Sequence, residues 1–403
     1  MIKEIDQLRR LYNNFEKFHR ISLPLCAAEN VMSDFVKEPL AKDFQERYIM
    51  GSAYEYTIED NFIGSEYLFP YYKMIDILGR ELFHAKYTDA RTLTGMNAAN
   101  VLISVLAKPN DNIMILSKDW GGHASMRPTF ERLGAKVYDA PYIRENYDFD
   151  YDILNRDIEE NNIKFLNIAP SDILFPIDFE KINDTNCTVL FDYSQVLGLI
   201  AAGIWKNPLD YLKNCVLYGG THKTMPGPAH GIIMTNNDDI YKLLDKGINP
   251  KFLRNTQTHQ VISLLHCLIE MKYYGKEYQY NTIRTANFLG EQLKNRGINI
   301  VCKDGVYTKS HQLFLEMSED AMYEVFRNAT ECAITLNTKK KPLFKGGYGI
   351  RLGLQEISRY NWDKKAISTI ADILTLVFQK NYSKQTVCEM IKSLPAKKIH
   401  YTF

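Results

Sequence analysis

At 403 residues, with 45% hydrophobic and 24% charged side chains, the chain has the make-up of a folded soluble protein; it is too long for one ordinary core, so two domains are expected and disorder is not. Lys and Arg number 49 against 48 Asp and Glu, and a net charge of +1 excludes a global field that would recruit nucleic acid or an acidic membrane surface. The seven cysteines are scattered and lack zinc-site spacing, the N-terminus is charged from Lys3 onward, and no apolar run approaches the ~20 residues of a membrane helix, so a reducing, cytoplasmic setting is expected.

Residues 1–20 carry Ile5, Leu8, Leu11 and Phe15 at helical spacing, which predicts an amphipathic arm that packs on something else, a partner subunit being one candidate. The run Leu23-Pro24-Leu25 then delivers Glu29 and Asn30 into a turn. From Tyr48 to Tyr72 a long loop rich in tyrosine either serves function with its flat, hydroxyl-bearing rings or covers the core. Small residues in Thr92–Asn100 open a helix running to Leu106, and the free N–H groups of such a helix start suit a phosphate.

Short apolar runs then alternate with helical stretches: Ile113–Leu116, Lys136–Tyr138, Phe165–Ile168, Thr188–Phe191 and Val216–Leu217. That alternation predicts a mostly parallel sheet buried on both faces, with ligands held by the loops at the carboxyl ends of its strands. Those loops bring Asp119–His123, Ala169–Asp172, Asp192–Gln195 and Thr221-His222-Lys223. Lys223 sits between a buried strand and a Gly- and Pro-rich segment, where an amine can be held partly desolvated against a carbonyl; a surface-loop lysine is the plainer alternative. Further on, Gln260 to Tyr274 reads as a helix stopped by Gly275, followed by a smaller α+β unit with strands near 298–301, 312–315 and 333–336. There Arg351, between Gly349 and Gly353, suits a two-pronged grip on a carboxylate.

Taken together, Ala27-Ala28-Glu29-Asn30, Gly121-Gly122-His123, Asp192–Gly203, Thr221–Thr224 with Gly227-Pro228, and Gly349–Gly353 resemble, in order, the pyridoxal-phosphate enzymes of fold type I and more narrowly serine hydroxymethyltransferase. The resemblance implies an α/β fold in three parts. These are a helical arm (1–20), a large cofactor domain (21–280) with a mostly parallel seven-stranded sheet, and a smaller C-terminal α+β domain (281–403).

It implies pyridoxal 5'-phosphate as cofactor, with Lys223 its Schiff-base lysine, Asp192 paired to the ring nitrogen and His123 on the ring face. Thr94, Gly95 and Met96 would hold the phosphate, Ser171, His222 and Gln195 would make further cofactor contacts, Arg351 would bind the substrate carboxylate, and Glu29 would be an acid near the substrate. It also implies a homodimer with shared sites, with Asn255-Thr256-Gln257 the nearest match to a segment that contacts the neighbour's phosphate.

Departures from the family pattern cluster. Gln195 stands where a histidine is usual, Ala28 where a serine is, and Ala229 where an arginine is. The family's Tyr-x-Glu-Gly, whose acid serves the folate chemistry, reads Tyr48-Ile49-Met50-Gly51, with Glu55 or Glu59 open as substitutes and Tyr54, Tyr56 or Tyr67 open as replacements for a missing tyrosine pair. The expectation is aldol or transaldol chemistry at Cα of a glycine-, serine- or threonine-like amino acid without folate. An ordinary folate-dependent enzyme, an aminotransferase and a non-catalytic relative are the alternatives.

Overall fold

In the computed structural model, residues 2–59, 61–379 and 382–403 are described. The chain forms two compact units, one of residues 28–281 with 401–403 and one of residues 1–27 with 282–400.

The first unit is built on a seven-stranded sheet: β1 (Tyr87–Asp89), β2 (Asn112–Ile115), β3 (Lys136–Asp139), β4 (Phe165–Ile168), β5 (Thr188–Asp192), β6 (Cys215–Gly220) and β7 (Gly231–Thr235). Its spatial order is β1-β7-β6-β5-β4-β2-β3. The five strands from β6 to β3 run parallel, while β7 runs against them and pairs antiparallel with both β6 and the edge strand β1. Every residue of β4, β6 and β7 is buried, the pattern of strands covered on both faces. The helix Gly95–Leu106 lays Ala98, Leu102 and neighbouring residues on Ile113, Leu190, Val216 and Ile233.

A buried charge cluster ties the antiparallel edge together. The Arg91 guanidinium, 2% exposed, grips the Asp89 carboxylate through Nε and Nη2, reaches Asp245 at 2.8 Å and donates to the Gly51 carbonyl at 2.7 Å. Asp89 Oδ1 also accepts the Arg91 backbone N–H at 2.9 Å. Burial alone would lower the arginine's pKa, but the two carboxylates outweigh it and raise it above the ordinary value.

In the second unit, β8 (Gln312–Glu316), β9 (Asn337–Lys340) and β10 (Tyr348–Gly353) form an antiparallel sheet of order β8-β10-β9. The helix Lys3–Ile21 has no buried residue, and Leu8, Leu11 and Phe15 are 46%, 57% and 69% exposed.

Four details differ from the sequence reading. Residues 21–27 group with the second unit rather than the sheet domain, because Leu23–Pro24 pairs in parallel with Ile334–Thr335 and the Leu25 carbonyl accepts the Gly353 N–H. Gly275 does not stop a helix; the helix runs unbroken over Thr258–Asn295, and a Cβ at 275 would press only on the flexible Met271 side chain. The loop ends before Tyr71 and Tyr72, which lie on the helix Phe69–Phe83. The strand expected at 298–301 is reduced to one bridge, Ile300 to Leu315.

Removing one member of a buried ion cluster strands the others, so Arg91→Ala is expected to cost ~3–5 kcal/mol of stability, where Arg156→Ala, on the surface beside Asp157 and Glu160, costs ~0–1 kcal/mol. Urea denaturation followed by circular dichroism checks the difference.

Candidate active site

The chain leaves β6 at Gly220 and turns through Thr221-His222-Lys223-Thr224. The turn is pinned where the strand ladder stops: Thr221 Oγ1 donates to the Pro228 carbonyl at 2.6 Å, Thr224 Oγ1 to the Gln195 carbonyl at 2.9 Å, and the Gly227 N–H to the Thr221 carbonyl at 3.0 Å. Lys223 is half-buried on this turn.

Asp192 ends the neighbouring parallel strand β5. Its Oδ1 accepts both the backbone N–H of Ser194, at 2.9 Å, and the Ser194 hydroxyl, while Ser194 Oγ in turn accepts the Gly220 N–H at 2.7 Å. One carboxylate oxygen is thereby fixed to the turn that carries the lysine. Gly219 lies against this network with φ +150°, and a Cβ there would fall 2.5 Å from Ser194 Oγ and 2.7 Å from Asp192 Oδ1.

The start of the helix Gly95–Leu106 comes to the same place. Thr94 caps it by accepting the Asn97 N–H, which leaves the N–H groups of Gly95 and Met96 ahead of the first helical turn. A Cβ on Gly95 would lie 2.6 Å from the Gly220 nitrogen, so only glycine admits this approach, and a Cβ on Gly220 would in turn meet the His222 ring at 3.2 Å. His222 is pushed down to about 4 by burial first and by the Lys223 charge second, against the pull of Asp192, and its Nδ1 is buried without a partner. At neutral pH it is an uncharged ring with one nitrogen unanswered.

His123 and Ser171 belong to the loops after β2 and β4, on the same carboxyl edge of the parallel strands. The two loops are clipped together: the His123 N–H donates to the Ala169 carbonyl, and the Ser171 and Asp172 N–H groups both donate to the Gly121 carbonyl. His123 Nδ1 accepts the Ser125 N–H at 3.3 Å. Gln195 is 2% exposed, Glu29 is exposed, and Asn30 beside it is half-buried.

Arg351 stands on β10, the central strand of the second unit's sheet; it is 4% exposed and donates from Nη2 to Asn337 Oδ1 at 2.9 Å. Thr256 is buried with its hydroxyl bonded to that of Tyr72, and Gln257 takes the left-handed φ of +51°. A cleft of about 1090 Å³ follows segments 38–48 and 62–71 of the first unit and is lined by none of the predicted site residues.

A lysine on a turn, a carboxylate with one oxygen already anchored, a helix start with free N–H groups and an orphaned ring nitrogen converge around Gly220, and they fit a flat, phosphorylated pyridine aldehyde. Three contributors were not singled out from the sequence. Ser194 was visible only as part of a motif, Arg91 had only its spacing from Asp89, and the Tyr278-Gln279 pair lay beyond the point where the helix was expected to end.

Comparison with known proteins gives the family and the fold. A family model described as serine hydroxymethyltransferase matches residues 3–374. A serine hydroxymethyltransferase of Picrophilus torridus is 30% identical over 93% of this chain and 88% of its own length. One from Sulfolobus acidocaldarius is 29% identical over 100% of this chain and 94% of its own. Among solved structures, L-threonine transaldolase from Pseudomonas fluorescens superposes with a TM-score of 0.92 at 22% identity, covering 100% of this chain and 94% of that one, which establishes the shared fold.

His222 and the fully buried His230, also held down to about 4 by burial, refuse protons that the unfolded chain takes up near pH 6.5. The unfolded state therefore binds more protons between those values, and stability rises with pH across that window and is lost as pH falls through it. Each histidine is expected to cost the cofactor-free protein about 2 kcal/mol at pH 5 relative to pH 7. Urea titrations at the two pH values check this, and His230→Asn is expected to remove about half of the difference.

Proposed function

The chain belongs to the serine hydroxymethyltransferase family, and from that premise we propose that it is a pyridoxal-phosphate enzyme acting at Cα of a small glycine-, serine- or threonine-like amino acid by aldol or transaldol chemistry without folate. One observation carries the folate-free part. The residues suited to the cofactor are kept and gathered, while the position of the family's folate-side acid is occupied by Met50 and locked there. The Met50 N–H donates to Asn61 Oδ1 at 2.9 Å, Asn61 Nδ2 donates back to the Met50 carbonyl, and the next carbonyl, of Gly51, is held by Arg91.

With both sides of Met50 tied down, the segment has no slack to slide Glu55 or Glu59 into that place, and both acids are exposed. Tyr54 is committed to packing edge-on against Tyr87 and Tyr241, and Tyr56 to a hydrogen bond with Ser65. Tyr67, 76% exposed, is the tyrosine of the three left open to a substrate or a second copy.

When bound, the cofactor supplies an electron sink for a cleaved Cα bond. This chain's residues do the rest. The Lys223 amine is the attachment point and carries protons to and from Cα on its Nζ, with neutral His222 beside it adding no competing charge. Asp192 presents a negative charge whose direction Ser194 sets, suited to a protonated ring nitrogen. Gly95 and Met96 would offer backbone N–H groups and Thr94 its hydroxyl to the phosphate, Ser171 and Gln195 would add polar contacts, His123 would lie against the ring, and Arg351 is the residue assigned to a substrate carboxylate. Glu29, exposed beside Asn30, is the acid for the substrate side.

A homodimer with shared sites belongs to the same reading. It is supported by the exposed apolar stripe of Lys3–Ile21 and by Ile58, Phe62, Ile63 and Tyr67, all solvent-facing in the single chain. Sedimentation is expected to give twice the 46.7 kDa chain mass.

The second reading, a folate-dependent hydroxymethyltransferase, is favoured by the names of the relatives, and one assay separates the two. With pyridoxal phosphate present, cleavage of threonine or serine to glycine and an aldehyde is expected to be independent of tetrahydrofolate. A rise of roughly a hundredfold in serine turnover on adding it favours the second reading. Lys223→Ala is expected to lower either activity by roughly 10³-fold or more while leaving the fold intact by circular dichroism.

A further inference from the structure

Past Gly220 the peptide groups of Lys223 and Thr224 have no strand to pair with, and a buried carbonyl without a partner is costly. Both carbonyls are answered by side chains from elsewhere in the first unit. Asn30 Nδ2 donates to the Lys223 carbonyl and, with its other hydrogen, to the Tyr278 hydroxyl at 2.9 Å, while Asn30 Oδ1 accepts the Val31 N–H at 2.8 Å. Gln279, the next residue of the long helix, donates from Nε2 to the Thr224 carbonyl at 2.7 Å. Tyr278 is fully buried, with its ring 5.6 Å from that of Tyr401. Both Asn30 donors and its acceptor oxygen are engaged, in a way only a carboxamide can satisfy: two donors on one atom, an acceptor on the other.

We propose that Asn30 and Tyr278 are positioning residues that clamp the Lys223 peptide, so that the lysine swings about a fixed Cα when it releases and retakes the cofactor. The inference rests on the reading of Lys223 as the cofactor lysine, and it separates Asn30 from its neighbour Glu29. Asn30 works on the protein's own backbone.

The test uses the full chain loaded with pyridoxal phosphate, comparing wild type with Asn30→Asp and Tyr278→Phe. Both substitutions keep volume: the first replaces the donor with an oxygen facing the carbonyl, and the second removes only the hydroxyl. Readouts are the absorbance near about 420 nm, its pH dependence, the rate of cofactor loss on dilution into a scavenger, and borohydride trapping mapped to Lys223 by mass spectrometry.

The clamp predicts cofactor loss roughly five- to tenfold faster in Tyr278→Phe and faster still in Asn30→Asp, with kcat reduced more than KM and the pH midpoint of the band displaced. If Asn30→Asp does not fold, Tyr278→Phe decides. Wild-type trapping at Lys223 with Tyr278→Phe matching wild type in loss rate and pH profile overturns the clamp alone. Failure of wild type to trap cofactor at Lys223 overturns the reading of that lysine and the clamp with it.

Discussion

A buried strand that ends must hand its backbone hydrogen bonds to something else, and the candidate site lies where β6 does so. At Gly220 the ladder stops inside the protein rather than at its surface. Ser194 takes the Gly220 N–H, Thr224 bonds across to the Gln195 carbonyl, and Asn30 and Gln279 answer the carbonyls beyond. The groups that satisfy the broken ladder also fix the acid, the turn and the lysine. A helix start and a neutral histidine complete the surround, so the price of ending a strand in the core becomes preorganisation of a site.

Much of this was legible in the chain. Period and composition located β2 to β6, because parallel strands covered on both faces are continuous apolar runs, and the helix at Gly95 announced itself through small residues behind a threonine cap. The loops at the strand ends pointed to Asp192, His123, Ser171 and Lys223 without any coordinates. The antiparallel strands Tyr87–Asp89 and Gly231–Thr235 were harder to see. One is three residues long, and the other directly follows a Gly- and Pro-rich turn that masks its start.

Tertiary contact decided the remainder. Gly275 looks like a helix stop only if the helix is considered alone; packed as it is, the helix runs through, and Tyr278 and Gln279 then fall opposite the lysine turn. Arg91 reads as an ordinary charge three residues from a threonine cap until two carboxylates close around it in the core. Leu23–Pro24 is too short to announce a strand, and its partner lies more than 300 residues away. None of these pairings leaves a periodic trace.

The glycines divide by what they do. Those at 64, 203 and 297 have open space around them and are glycine for their left-handed backbone, whereas a Cβ at 95 would run into the Gly220 backbone and one at 219 into Ser194 and Asp192. Anyone reshaping this scaffold would therefore find the ground around Gly219 and Gly220 fixed and the exposed loop side chains negotiable. Diversity belongs at the exposed positions Ile58, Phe62, Ile63 and Tyr67 rather than at the tied-down residues 50–56, and a library that spares 95 and 219 keeps its folded fraction.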